Sequence, residues 1–311
     1  MSTRLVDVGC CRLYLNCKGT GEPTVILESG IAATSLSWSY VQPRVAEFTR
    51  ICSYDRAGLG YSSRCPFPRT PSQFALELRT LLVRAHVTPP YILVGHSFGG
   101  LLVRTYGSLY PLEVAGIVMV DPVSIKGWAN APADQFRRLN YGVRLSRRGA
   151  WLARLGVVRF ALWLTAAGGR RLPKLIARAS AGGGNSAIDR LMGEVRKLPP
   201  EVWPILRAHW GQSKTFLSMA AHLESLPAAA SAAQNMTLPP NIPLTILSAA
   251  NALPSELAER ESWARQSVRG CHTQLTGCGH WLHLELPDAV TAAIRDLVEH
   301  ARASTSLRPI Q

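Results

Sequence analysis

Apolar residues in this chain fall into short runs separated by stretches with helical spacing. Thr24–Glu28 (Thr-Val-Ile-Leu-Glu) and residues 50–54, 91–94, 115–120 and 244–247 are such runs, each bounded by glycine, proline, serine or aspartate. They predict buried strands. Residues 5–8 and 12–16 predict a hairpin-like pair at the start, and residues 272–275 a final strand. Between them, residues 72–85 place Phe74, Leu78, Leu81 and Leu82 at helical spacing, and residues 288–300 read as a closing helix. Strands alternating with helices predict an α/β fold, a mainly parallel sheet covered on both faces. Sheets of this kind gather reactive groups at the carboxyl ends of their strands.

The alternation stops between residues 122 and 243. That stretch is helical in pattern and is broken at Gly168-Gly169, Gly182-Gly183-Gly184 and Pro199-Pro200. The expected organisation is a core of residues 1–121 and 243–311, with residues 122–242 inserted as a helical cap over the strand ends.

Charge sharpens this division. The chain of 311 residues carries a formal +14, and residues 122–242 hold 17 Lys/Arg against 5 Asp/Glu, or +12 of it. Residues 144–164 mix Arg144, Arg147, Arg148, Arg154 and Arg159 with Trp151, Phe160 and Trp163. The favoured reading is a lid helix that packs its aromatics over the site and keeps arginine in water. The alternative is peripheral association with an anionic membrane surface. With Trp203, Trp210 and Phe216 added, either reading implies an apolar pocket and an acyl or aromatic small-molecule substrate. Nucleic acid is not expected as a partner, because no helix-turn-helix, zinc spacing or aromatic RNA-binding pattern accompanies the charge.

Apolar residues make up 47% and charged residues 17% of the chain. This is a globular balance, without a run long enough to span a bilayer. The first residues lack an apolar signal core, so a cytoplasmic location is expected. Seven cysteines, with Cys10 and Cys11 adjacent and no C-x-x-C pair, predict reduced thiols rather than a disulfide or metal site.

The candidate chemistry centres on Gly95-His96-Ser97-Phe98-Gly99-Gly100. An apolar run ends there and a helical pattern begins. A serine between two glycines at a strand-to-helix turn is held out of the sheet as a nucleophile. The Phe98 amide, at a helix N-terminus, is placed to stabilise an oxyanion. Serine attack needs a base. His280, in Gly277-Cys278-Gly279-His280, is chosen because a strand precedes it and glycines flank it. His96 is expected to point away from Ser97. His86, His209, His222, His272 and His300 are expected to be solvated.

These segments resemble the α/β-hydrolase superfamily. The resemblance rests on Leu27-Glu28-Ser29-Gly30-Ile31, Tyr54-Asp55-Arg56-Ala57-Gly58-Leu59-Gly60, the Ser97 turn and Gly277-Cys278-Gly279-His280. It implies an eight-stranded sheet, Ser97 as nucleophile, His280 as base, and the amides of Ile31 and Phe98 as oxyanion hole. No cofactor is implied. Two positions depart from the family pattern. Glu28-Ser29-Gly30 stands where many members have His-Gly, so Glu28 must be turned away or hydrogen-bonded. Asn251 occupies the usual place of the acid. Asp121, at the end of the preceding strand, is the preferred substitute and Glu256 the alternative. Asp55 with Arg56 reads as a structural turn. The implied activity is ester hydrolysis through an acyl-enzyme, with thioester, lactone or peptide substrates also open. A non-catalytic binding protein on the same fold is the competing class.

Overall fold

The computed structural model describes residues 2–66, 68–166 and 196–306. Eight strands form one sheet: β1 (Ser2–Asp7), β2 (Arg12–Lys18), β3 (Thr24–Glu28), β4 (Ile51–Asp55), β5 (Tyr91–His96), β6 (Val114–Val120), β7 (Leu244–Ser248) and β8 (Gly270–Gln274). Their spatial order is β1-β2-β4-β3-β5-β6-β7-β8. Only β2 runs against the others, pairing antiparallel with β1 and β4. The predicted mainly parallel sheet is therefore present, with strand ends shifted by a few residues.

Every residue of β3, β4 and β5 is buried. Their side chains alternate between two cores, as pleating requires. Ile26 and Leu93 join Phe74, Leu81, Leu101 and Tyr106 from the helices Pro71–Arg84 and Phe98–Leu109 on one face. Val25, Leu27, Ile92 and Val94 meet Trp38, Val290, Ile294 and Leu297 on the other, under the helix Pro287–Ser306. Each such side chain contributes roughly 1.5–3 kcal/mol on burial, which makes the carboxyl edge of the sheet a rigid platform.

Between β6 and β7 the described residues hold helices, chiefly Ala133–Arg154, Val157–Ala166, Trp203–Trp210 and Ser213–Gln234. The Gly168-Gly169 and Gly182–Gly184 breaks lie outside the described residues. The helix Ser213–Gln234 is not confined to a cap. Its second half sends Leu226, Ala229, Ala230 and Ala233 into the main core, and Arg104 donates to the Ala233 carbonyl at 3.0 Å. The alanine-rich tract is thus a close-packing face.

Three expectations need correction. Trp151, Phe160 and Trp163 are 63%, 52% and 62% exposed, so the favoured lid reading of those aromatics does not hold. The cysteines are not all reduced. Cys17 on β2 and Cys52 on β4 face each other across the antiparallel pair and form a disulfide. His209, His222 and His272 are packed rather than solvated, because aromatic and polar neighbours enclose them, including Tyr61 beside His209, Phe74 beside His222 and Ser248 bonded to His272. No helix among the described residues is long and apolar enough to cross a membrane.

Candidate active site

Ser97 follows β5 and precedes the helix Phe98–Leu109, with φ +55° and ψ −118°. A left-handed φ on a non-glycine residue is costly and clusters at functional sites. The sequence permits it because the neighbouring glycines leave no room for side chains. A Cβ on Gly95 would lie 2.3 Å from the Gly99 carbonyl oxygen, and one on Gly99 would lie 2.4 Å from that of Glu28. The turn is anchored from Ser97 N to the Val120 carbonyl, and from Gly100 and Val123 back to the Ser97 carbonyl.

The segment after β3 closes over this turn. A Cβ on Gly30 would meet Ser97 Cβ at 3.4 Å and His96 Nδ1 at 3.0 Å, so glycine is what lets the loop approach the serine. The Ile31 and Phe98 amides donate to no protein acceptor among the described residues. Arg56 fixes this loop. Its guanidinium donates to the carbonyls of Ser29 and Gly30 and to Glu28, while Tyr54 Oη donates to the other Glu28 oxygen. The Gly30–Ile31 peptide is planar, so a held Gly30 carbonyl also aims the Ile31 N–H. Glu28 is buried beneath the loop. Burial pushes its carboxyl up, against the pull of Arg56 and the Tyr54 hydroxyl. Asp55 serves the turn as expected, accepting from the amides of Ser35 at 2.8 Å and Tyr61 at 3.0 Å.

His280 and Asp121 meet directly, with His280 Nδ1 2.6 Å from Asp121 Oδ2. Asp121 directly follows β6 with φ +43° and is itself buried. Its Oδ1 accepts from the Ala249 amide at 3.0 Å and from Arg260 Nη1 at 2.7 Å. Burial alone would raise its pKa, but the hydrogen bond from His280 and the Arg260 charge together hold it below the usual carboxylate range. Glu256 lies elsewhere, accepting from the Leu253 amide at the start of the helix Pro254–Ala264. Its carboxylate caps that helix. The imidazole of His280 is 46% exposed, so its other nitrogen faces reachable space. Among the described residues no hydrogen bond joins Ser97 Oγ to His280. Catalytic contacts of this type often close only on substrate.

Sequence reasoning missed two groups. Arg260, 2% exposed, shares Asp121 with His280 and also donates to Ser248 Oγ and the Pro122 carbonyl. Its helical register in the sequence gives no hint of this. His96, expected to point away from Ser97, packs instead against the His280 loop. Its Nε2 lies 2.9 Å from the His280 carbonyl, and its ring packs 4.7 Å from His280 and 4.3 Å from His283. A carbonyl only accepts, so His96 carries its proton on Nε2. Burial keeps both supporting rings neutral, with His283 brought down to about 3.

Beside the His280 loop, Leu206, Trp203 and Trp210 of the inserted helices pack with Leu36, Trp281 and Leu284. Glu285 ties the His280 loop to the insertion, accepting from the Gly279 amide and from Lys197, each at 2.7 Å.

The alpha/beta hydrolase family profile matches residues 25–293. The chain belongs to the alpha/beta hydrolase family. Among curated relatives, the chain is 32% identical over 114 residues to the uncharacterised protein YqjL of Bacillus subtilis, covering 37% of the chain and 45% of YqjL. It is 40% identical over 73 residues to a human (lyso)-N-acylphosphatidylethanolamine lipase, covering 22% of the chain and 21% of the lipase. The matched stretches therefore span less than half of these relatives. Solved structures share the fold throughout. A candidate epoxide hydrolase from Pseudomonas aeruginosa superposes with TM-score 0.72 at 18% identity, covering 97% of this chain and 96% of that one. A thermophilic esterase from Thermogutta terrifontis superposes with TM-score 0.60 at 19% identity, covering 97% and 99%.

Proposed function

We propose that this hydrolase cleaves a carboxylic ester or related acyl compound through an acyl-enzyme on Ser97. The observation that carries the reading is the serine at the apex of a strained strand-to-helix turn, with an Asp121–His280 pair delivered to the same edge of the sheet. In this scheme His280 Nε2 takes the Ser97 proton as Oγ attacks the carbonyl carbon. Asp121 holds Nδ1–H and stabilises the imidazolium. The Ile31 and Phe98 amides receive the oxyanion. His280 then protonates the leaving group, and water activated by the same imidazole releases the acid.

A serine at the apex favours acyl transfer over epoxide opening, which would use a carboxylate nucleophile. The cluster of Trp203, Trp210 and Trp281 beside the His280 loop favours an apolar acyl chain over a peptide. Thioesters and lactones fit the same chemistry, and a non-catalytic role would leave the strained turn unexplained. No cofactor or metal enters the scheme. A peripheral contact with anionic membrane is proposed for the exposed Trp151, Phe160 and Trp163 among their arginines. A cytoplasmic location sits poorly with the Cys17–Cys52 disulfide, a bond that reducing compartments rarely keep.

The test is hydrolysis of p-nitrophenyl esters of increasing acyl length by purified protein. Activity is expected, and Ser97→Ala is expected to abolish it. Full activity in a folded Ser97→Ala protein would end the proposal.

A further inference from the structure

A second group of reactive side chains lies on the sheet margin, apart from the serine site. Cys10 and Cys11 occupy the turn between β1 and β2, and Cys65 sits on the segment that follows β4. The sulfur atoms of the three lie within 4.8 Å of one another. Cys65 Sγ is 2.9 Å from Cys10 Sγ, and Cys10 Sγ is 3.6 Å from Cys11 Sγ. Among the described residues no histidine or carboxylate joins the set. The neighbouring carboxylate, Glu77, is engaged by Arg69 and Gln73.

The two chain segments are brought together by more than the cysteines. Arg12 N donates to Ser63 Oγ at 2.8 Å, and Ser63 N donates to the Arg12 carbonyl at 2.9 Å. Tyr14 N donates to Ser62 Oγ at 2.8 Å. Backbone bonds of this kind hold the thiols in register before any ligand arrives, which lowers the ordering cost of binding.

Three sulfurs this close can share one ion. A thiolate–metal bond of about 2.3 Å in a trigonal site puts the sulfurs roughly 4.0 Å apart, so Cys10 and Cys65, 2.9 Å apart here, separate by about 1 Å on binding. An all-sulfur donor set selects soft closed-shell ions over hard ones. A disulfide between Cys10 and Cys65 would instead use two sulfurs and leave Cys11 as a buried core thiol.

We propose that Cys10, Cys11 and Cys65 form a three-thiolate site for one soft d10 cation, of the copper(I) or cadmium class. Binding a divalent ion to three thiols forms three metal–sulfur bonds and releases three protons, with no change of oxidation state. The ion ties the β1–β2 turn to the segment at Gly60–Ser63. Lys214 of the inserted region holds that same segment, donating to the Gly60 and Ser62 carbonyls at 2.8 Å each. Occupancy therefore stiffens a junction between the sheet and the insertion.

Cadmium(II) is the probe, because it is redox-inert and its thiolate bonds give an ultraviolet charge-transfer band. The full chain is titrated in a Cys271→Ser background, which removes the exposed thiol. The expected result is a band saturating at one equivalent, a raised Tm, and loss of both in Cys10→Ser and in Cys65→Ser. Alkylating the folded parent protein beforehand removes the band without relying on any variant to fold. A parent protein that gives no band overturns the proposal. So does a band that survives both serine variants, or a parent protein purified without reductant in which Cys10 and Cys65 are already disulfide-bonded. None of these outcomes bears on Ser97.

Discussion

Replacing Asp121 by asparagine separates the two candidate acids and reports on the base. The Asp121 carboxylate faces three donors: His280 Nδ1 at 2.6 Å, Arg260 Nη1 at 2.7 Å and the Ala249 amide at 3.0 Å. An asparagine side chain has one acceptor oxygen and one amide nitrogen. If the oxygen stays with Arg260 and Ala249, the amide N–H points at His280 Nδ1. The imidazole must then move its proton to Nε2, and a protonated Nε2 cannot accept from Ser97. Loss of the correct tautomer costs about 10⁴ in kcat, or about 5.5 kcal/mol of barrier. The change also strips Arg260 of its counter-charge while it keeps Ser248 Oγ and the Pro122 carbonyl. Breaking one partner of a buried pair costs roughly 3–5 kcal/mol, which lowers Tm by on the order of 10 °C. Combining Asp121→Asn with Arg260→Met restores part of that stability and none of the activity. Glu256→Gln leaves kcat within about twofold, since the removed charge only caps a helix. The assay is p-nitrophenyl ester turnover beside thermal melts of all four proteins. The reasoning fails if Asp121→Asn keeps kcat within about tenfold of the parent, or if Glu256→Gln loses as much.

Other outcomes follow from the same geometry. Arg56→Gln releases the Gly30 carbonyl and misaims the Ile31 amide, so kcat falls by roughly 10²-fold with KM little changed, toward the cost of a lost oxyanion donor; an unchanged kcat argues against the clamp. His283 is buried and neutral, with a pKa lowered from 6.5 to about 3. The unfolded chain binds a proton there that the folded chain refuses, so stability declines as pH falls from 6.5 toward 3. His283→Phe therefore flattens the Tm-versus-pH curve in that window, and an unaltered slope refutes the assignment. The exposed aromatics of the basic insertion predict co-sedimentation with anionic liposomes at low salt, lost in a Trp151→Ala/Trp163→Ala protein; no sedimentation at low salt removes the membrane contact.

Much of the fold was legible because the central strands are buried on both faces. Thr24–Glu28 reads as a strand around the apolar centre Val25-Ile26-Leu27, and its bounds are those observed. The glycines of the Ser97 turn were equally legible, since only glycine fits where any Cβ would come within 2.3–2.4 Å of a facing carbonyl oxygen. What periodicity cannot carry is a long-range partner. Arg260 and Asp121 are separated by 139 residues, and helical spacing says nothing about which carboxylate a buried guanidinium meets. The Cys17–Cys52 bond was missed for a similar reason. It joins two strands whose adjacency depends on sheet order, which cysteine spacing does not encode. His222 and His209 were misread as solvated because their burial comes from Phe74, Phe98 and Tyr61, all distant in sequence.

The central claim is that Ser97 is the nucleophile of a working acyl-transfer site. Treatment with a fluorophosphonate, followed by intact-mass and peptide analysis, tests it most directly. The account predicts one adduct per chain, on Ser97, absent from Ser97→Ala and slowed in Asp121→Asn. No adduct on folded protein, or an adduct that persists in Ser97→Ala, would contradict it.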